Sequence, residues 1–145
     1  MSVSEGRFST VSASTFFRLY AVALPVFLVM DMIWLGVVAR SFYQSQMGHL
    51  MRAQVNWAAA IVFYLLFVAG IVVLAVWPAV ERQSFAHALI LGALLGLVTY
   101  AAYDLTNLAT LEGFPLTVAL VDLAWGTVLC AIVSAVTYRL SLRLI

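Results

Sequence analysis

Lysine is absent from these 145 residues, cysteine occurs once, proline three times, and charged side chains make up only 9% of the chain. One cysteine excludes a disulfide within the chain. A net charge of +1 with no clustered basic stripe argues against nucleic-acid binding, which needs phosphate-neutralising surface. His49 and His87 are expected on opposite membrane faces, which excludes shared ligation of one haem, and no His, Cys and acidic set has zinc spacing. Neither a Gly-rich phosphate loop nor a buried Ser–His pair is present, so no cofactor is expected.

What is there in abundance is apolar: 66% of residues are hydrophobic, and the mean hydropathy is +1.11. Four runs are each long enough to cross a hydrocarbon core of about 30 Å, at 16–38, 55–77, 85–108 and 116–138. The expected fold is all-α, a polytopic four-transmembrane-helix bundle forming one domain. A polar N-terminal tail covers 1–15, an external interfacial segment 40–54 and a short C-terminal end 139–145. The first run is too long for a signal-peptide core and is read as retained. Tyr43, Met47, Leu50 and Met51 fall on one helical side of the interfacial segment, opposite Ser45, Gln46 and Arg52, as in a surface helix able to act as a lid.

All seven basic residues are Arg. Across four crossings Arg7, Arg18, Arg82, Arg139 and Arg143 share one side and Arg40 and Arg52 the other, so the positive-inside rule places both termini in the cytoplasm. The expected location is a bacterial inner membrane, with the lipid bilayer as the first partner.

Three aspartates, Asp31, Asp104 and Asp122, interrupt these runs, and no Lys or Arg lies at their depth. A carboxylate at a bilayer centre costs roughly 2.5 to 3.5 kcal/mol, so three facing lipid would cost on the order of 8 to 10. They are expected to face each other, a cavity or a bound cation. Counted inward from Ala39, Leu111 and Pro115, each lies about 10 to 12 Å deep at a rise of 1.5 Å per residue, which predicts one acidic layer in the outer half of the bilayer. Tyr64 falls near the same depth.

Helical spacing then recruits neighbours. Gly92, Gly96, Tyr100, Tyr103, Asp104 and Asn107 recur at intervals of three and four, giving an inward face with two glycines for close packing and a polar aromatic cluster beyond them. Asp31-x-x-Trp34 and Asp122-x-x-Trp125 each place Asp and Trp on one face, followed closely by Gly36 and by Gly126, the latter at a packing position. Because the two helices run in opposite directions, the indoles are expected above and below the acidic layer, walling a pocket. Pro25 predicts a kink in the first helix, Pro78 the end of the second and Pro115 the start of the fourth. Asn56 is read as a helix cap as readily as a ligand contact. Cys130 is read as a small packing residue.

Several motifs together resemble the small bacterial membrane proteins grouped as domain-of-unknown-function family 2177. They are Leu-x-x-Asp31-x-x-Trp34-Leu-Gly36, Phe42-Tyr43, Asn56-x-Ala58-Ala59, Phe63-Tyr64, the run from Tyr100 through Tyr103-Asp104-Leu-Thr106-Asn107 to Thr110, and Asp122-x-x-Trp125-Gly126. The resemblance runs from about Tyr20 to Tyr138. It implies a four-helix membrane protein and carries no reaction or catalytic residues with it.

Three functional classes fit the site. One is a small transporter or channel carrying a proton or cation on the aspartates, with an oligomer completing the path. Another is a membrane-embedded isomerase or cyclase acting on a polyene, sterol or isoprenoid, a hydrophobic small molecule protonated by an Asp beside Trp and Tyr faces. The last is a structural or accessory protein whose acids bond the helices together. Three carboxylates with Tyr and Asn oxygens suit a hard cation, while Trp and Tyr faces suit an organic one, so no metal is assigned.

Overall fold

The computed structural model describes residues 12–144; the polar tail through residue 11, Arg7 included, lies outside the described residues. Four helices have the length and hydropathy to cross a membrane: α1 (Ala13–Val38), α3 (Trp57–Glu81), α4 (Phe85–Thr110) and α5 (Leu116–Ser141). The short helix α2 (Arg40–Met47) lies between α1 and α3. Chain direction alternates, so one end of the bundle carries α2 and the α4–α5 turn, and the other carries the α3–α4 turn with the start of α1 and the end of α5.

Local chemistry accounts for most helix ends. Asn56 caps α3, its side-chain oxygen accepting from Ala59 N at 3.2 Å, which identifies this residue as a cap. Ser84 caps α4 by accepting from His87 N at 3.3 Å. Gly113 takes a positive φ of 78° in the α4–α5 turn, and Pro115 occupies the cap position of α5.

The prolines depart from expectation in one case. Pro25 is accommodated within α1, whose α-helical portion continues to Ile33. Pro78 does not end the second crossing, which continues to Glu81. Its missing amide cannot bond the carbonyl of Leu74, and its ring crowds that carbonyl. The helix absorbs this in a wider π-helical stretch over Val72–Val76 and then resumes. A second π-helical stretch, Trp34–Val38, ends α1, where Ala39 N donates to Trp34 O at 2.8 Å.

The closest pairing is between antiparallel α4 and α5. A methyl built on Gly96 would strike the backbone of Gly126, and one on Gly92 would strike the Cys130 carbonyl and Ser134. These glycines therefore set both the separation and the register of the pair. Towards the terminal end, Leu19 and Phe27 of α1, Val68, Ile71 and Val76 of α3, and Leu129 and Val133 of α5 form the apolar core. Towards the α2 end that core gives way to polar side chains. The first half of α3 leaves Trp57, Ile61, Val62 and Leu66 exposed, as suits a surface facing lipid.

Helix α2 lays Phe42, Tyr43 and Met47 against Phe114 in the α4–α5 turn and Val118 and Ala119 at the start of α5. Leu50 and Met51 are not part of its face: the α-helix stops at Met47, a 3-10 turn covers Gly48–Leu50, and both side chains are exposed.

Candidate functional site

The register of α4 against α5 brings two aspartates together. The ring of Tyr100 lies against Gly126, where any side chain would collide with it. One turn onward along α4 and one turn back along α5 are Asp104 and Asp122, which lie close enough to interact electrostatically. Asp104 is 0% exposed, and neither of its oxygens has a donor among the described residues. Two carboxylates offer each other only lone pairs, so a hydrogen bond between them requires a proton on one.

Asp122 has a second partner, the phenol of Tyr43, which donates to its Oδ1. Tyr43 in turn accepts from Trp34 Nε1 at 3.1 Å. Its position on α2, outside the spans, is held by the Phe114 and Val118 contacts. Burial, and then the bond to Asp122, pushes the Tyr43 phenol above its usual value of 10.0, because both disfavour a phenolate.

Asp31 forms a separate cluster. Only 5% exposed, it accepts from Tyr64 at 2.8 Å and from Trp125 Nε1 at 3.4 Å. The three aspartates are thus not one layer but two tiers. The reason is the offset within each Asp-x-x-Trp motif: Trp34 lies about 4.5 Å beyond Asp31 along α1 and Trp125 about 4.5 Å beyond Asp122 along antiparallel α5. When the indoles meet, the two aspartates are driven apart. They do meet, with ring centroids 4.3 Å apart and planes inclined by 7°, so the indoles stack between the tiers and do not stand above and below them. A continuous chain of contacts results, from Asp104 through Asp122, Tyr43 and Trp34, across the stack to Trp125, Asp31 and Tyr64.

Other expected members are distributed unevenly. Tyr100 is half-buried between the tiers, within electrostatic range of Asp31 and Asp122. Tyr103 is turned largely outward, 56% exposed, with its ring edge-on to Phe114 and its phenol in reach of Asn107, while remaining within electrostatic range of Asp104 and Asp122. It immediately precedes Asp104, and a rotation of about 100° per residue carries it off the face that Asp104 occupies. Asn107 is half-buried beside it. Tyr43 is the member that periodicity missed, because it lies on α2 and not on a crossing; its place in the Phe42-Tyr43 motif was the available signal.

The site is held together as a network of hydrogen bonds and ring contacts. Beside it lies a cleft of about 220 Å³ bounded by Met30, Ile33, Trp34, Val38 and Trp125, without a carboxyl in its wall. A second cleft of about 500 Å³, lined mainly by α3 and α4 and including Phe63, Phe67, Leu95 and Thr99, is also almost wholly apolar. Among the described residues, no three His, Cys, Asp or Glu side chains converge as a metal cage.

No curated protein and no solved structure matches the chain. The family model described as "Predicted membrane protein (DUF2177)" matches residues 16–139, a stretch that contains nearly all of the four spans, α2 and every aspartate of the network, and the protein belongs to that family.

Proposed function

We propose that the protein binds and releases a proton within the membrane, as a small proton-linked transporter or channel, and that the Asp104–Asp122 pair is its proton site. The observation that carries this reading is the approach of two carboxyls with both Asp104 oxygens lacking any other donor. A proton shared by the two carboxyls satisfies that geometry. Asp31, held by Tyr64 and Trp125, is a second proton-accepting position in the same chain of contacts.

The proposed orientation has both termini in the cytoplasm of a bacterial inner membrane; it is supported by the Arg distribution, with Arg18, Arg82, Arg139 and Arg143 at the terminal end and Arg40 and Arg52 at the α2 end. The proton site then lies in the outer half of the bilayer, with Tyr43 between it and the outer surface. A homo-oligomer completes a path that four helices alone accommodate poorly.

Reconstitution into liposomes with an internal pH dye tests this reading. Wild type is expected to carry proton flux, which Asp104→Asn and Asp122→Asn abolish while eluting as folded protein in detergent. Undiminished flux in both variants removes the reading.

One observation favours a lipid-directed enzyme as the second reading. The 220 Å³ cleft presents indole surfaces of Trp34 and Trp125, whose N–H groups are already bonded elsewhere, so it offers a hydrocarbon an aromatic wall close to Asp31. A changed lipid profile on gene deletion, restored by wild type but not by Asp31→Asn, would support it.

A further inference from the structure

Helices α3 and α4 part company over half their length. Helix α4 packs against Val72–Val76 and Trp77–Glu81 of α3, whereas Trp57–Ile71 scarcely approaches it. The change falls at the π-helical stretch Val72–Val76, a kind of bend point that recurs at functional sites. In the gap lies the cleft of about 500 Å³, with Phe63, Phe67, Gly70 and Leu74 along α3 and Leu95 and Thr99 along α4. Gly70 leaves it open, since a methyl built there meets no atom within 4 Å.

Shape and chemistry decide what fits. From Phe63 to Leu74 the cleft runs about 16 Å at 1.5 Å per residue, so its volume is that of a slot about 6 Å across. A helix with its side chains is about 10 to 12 Å wide, so the slot does not admit a crossing from a second copy. The N-terminal tail, with Ser2, Ser4, Glu5 and Arg7, is too polar for it. Water has nothing to hold it, because the Thr99 hydroxyl is already turned to Leu95 O of its own helix at 2.7 Å and the other walls are apolar.

What remains is hydrocarbon, and depth separates its kinds. Leu74 lies about 10 Å from the Glu81 end of α3 and Phe63 about 9 Å from the Trp57 end, so the slot straddles the middle of the crossing. A phospholipid chain reaches about 15 Å, half of a core of about 30 Å, and leaves part of such a slot empty. A molecule without a polar head has no such anchor and can lie across the midplane. At about 30 Å³ per non-hydrogen atom, water's own share in the liquid, the slot holds roughly 15 to 20 carbons. Along it the rings of Phe63 and Phe67 stack with centroids 5.2 Å apart and planes at 17°, an aromatic surface suited to a row of double bonds.

We infer that the α3–α4 cleft binds one linear unsaturated hydrocarbon without a polar head, of the polyene or isoprenoid class, lying across the bilayer midplane. Phe67 stands between this molecule and the polar network, its ring 5.6 Å from that of Phe27 and 6.4 Å from that of Tyr100. The inference is independent of the proton reading, since no carboxyl lines the cleft.

Diphenylhexatriene, a rod-shaped conjugated hydrocarbon of that size, tests it. The molecule is achiral and acquires circular dichroism only in a chiral site. Titrated into wild type in phosphatidylcholine nanodiscs, it is expected to give an induced band in its own absorption that saturates at one molecule per chain. Gly70→Phe fills the open space and is expected to abolish the band, while Gly36→Phe, at an equally open position outside the cleft, keeps it. If Gly70→Phe does not fold, Ala69→Phe in the same lining decides. No induced band in wild type, a band that survives in folded Gly70→Phe, or one lost equally in Gly36→Phe overturns the inference. So does a phospholipid that native mass spectrometry finds on wild type, that Gly70→Phe loses and that the polyene does not displace, which would assign the slot to an ordinary acyl chain. None of these results bears on Asp104-dependent flux, so the two readings fail separately.

Discussion

The indole of Trp34 lies flat on that of Trp125, their centroids 4.3 Å apart, and each N–H donates away from the stack: Trp34 to Tyr43, and Trp125 to Asp31. This contact ties α1 to α5 and links the two tiers of acidic side chains. Stacked indoles are coupled by about 0.5 to 1.5 kcal/mol beyond the area they bury. A double-mutant cycle on unfolding in detergent, using Trp34→Phe, Trp125→Phe and the pair, should return coupling of that size. The exciton couplet of the stacked indoles in circular dichroism should vanish in either single variant. Additive energies with an unchanged spectrum would refute the stack.

Tyr43 offers a test of the connection between α2 and the buried acid. Tyr43→Phe removes the donor to Asp122 and leaves the ring packed against the start of α5, so the expected loss is about 1.5 to 3 kcal/mol, the range for a hydrogen bond to an ionisable group. The pH dependence follows from the raised Tyr43 value. A group whose folded pKa lies above its unfolded one contributes stability that is fully present below the unfolded value, here about 10, and is lost as pH rises through the folded value. Wild type should therefore lose more stability than Tyr43→Phe above pH 10. Parallel profiles would count against the burial of this phenol.

If Asp104 and Asp122 share a proton, as proposed above, that proton does the work of a donor. An Asn amide supplies that donor permanently, so Asp104→Asn should unfold within about 1 kcal/mol of wild type at neutral pH, whereas Asp104→Leu leaves Asp122 without this partner and should cost more. Denaturant titration in detergent measures the difference. In infrared spectra a protonated-carboxyl carbonyl band present in wild type should disappear in Asp104→Asn. Equal destabilisation by Asn and Leu would indicate that the carboxyls do not share a hydrogen bond.

The glycines predict a contrast that depends on place. A methyl at Gly96 meets the backbone of Gly126, so Gly96→Ala should force α4 and α5 apart at a cost of about 1 to 3 kcal/mol. Gly70 has open space where a side chain would stand, and Gly70→Ala should leave stability within about 1 kcal/mol of wild type. Thermal unfolding of the two variants decides it. Similar losses at both positions would separate the α4–α5 register from these glycines.

Hydropathy alone determined that this chain has four helices long and apolar enough to cross a membrane, because the length of an apolar run and the thickness of a bilayer are both local quantities, and the observed helix ends lie within four residues of the expected ones. It also determined that Asp31, Asp104 and Asp122 would be withdrawn from lipid, since charge in hydrocarbon is penalised whatever the partner. Tertiary structure decided who those partners are. Depth from a helix end placed the three acids in one layer, but hydrogen bonds depend on the rotation and slide of one helix against another, set here by Gly96 on Gly126 and by Tyr100 against Gly126. That register joined Asp104 to Asp122, while the meeting of Trp34 with Trp125 left Asp31 to Tyr64. It also enlisted Tyr43 from a helix that crosses nothing and turned Tyr103 outward. Periodicity records which face of a helix a residue occupies; only packing records what the face meets.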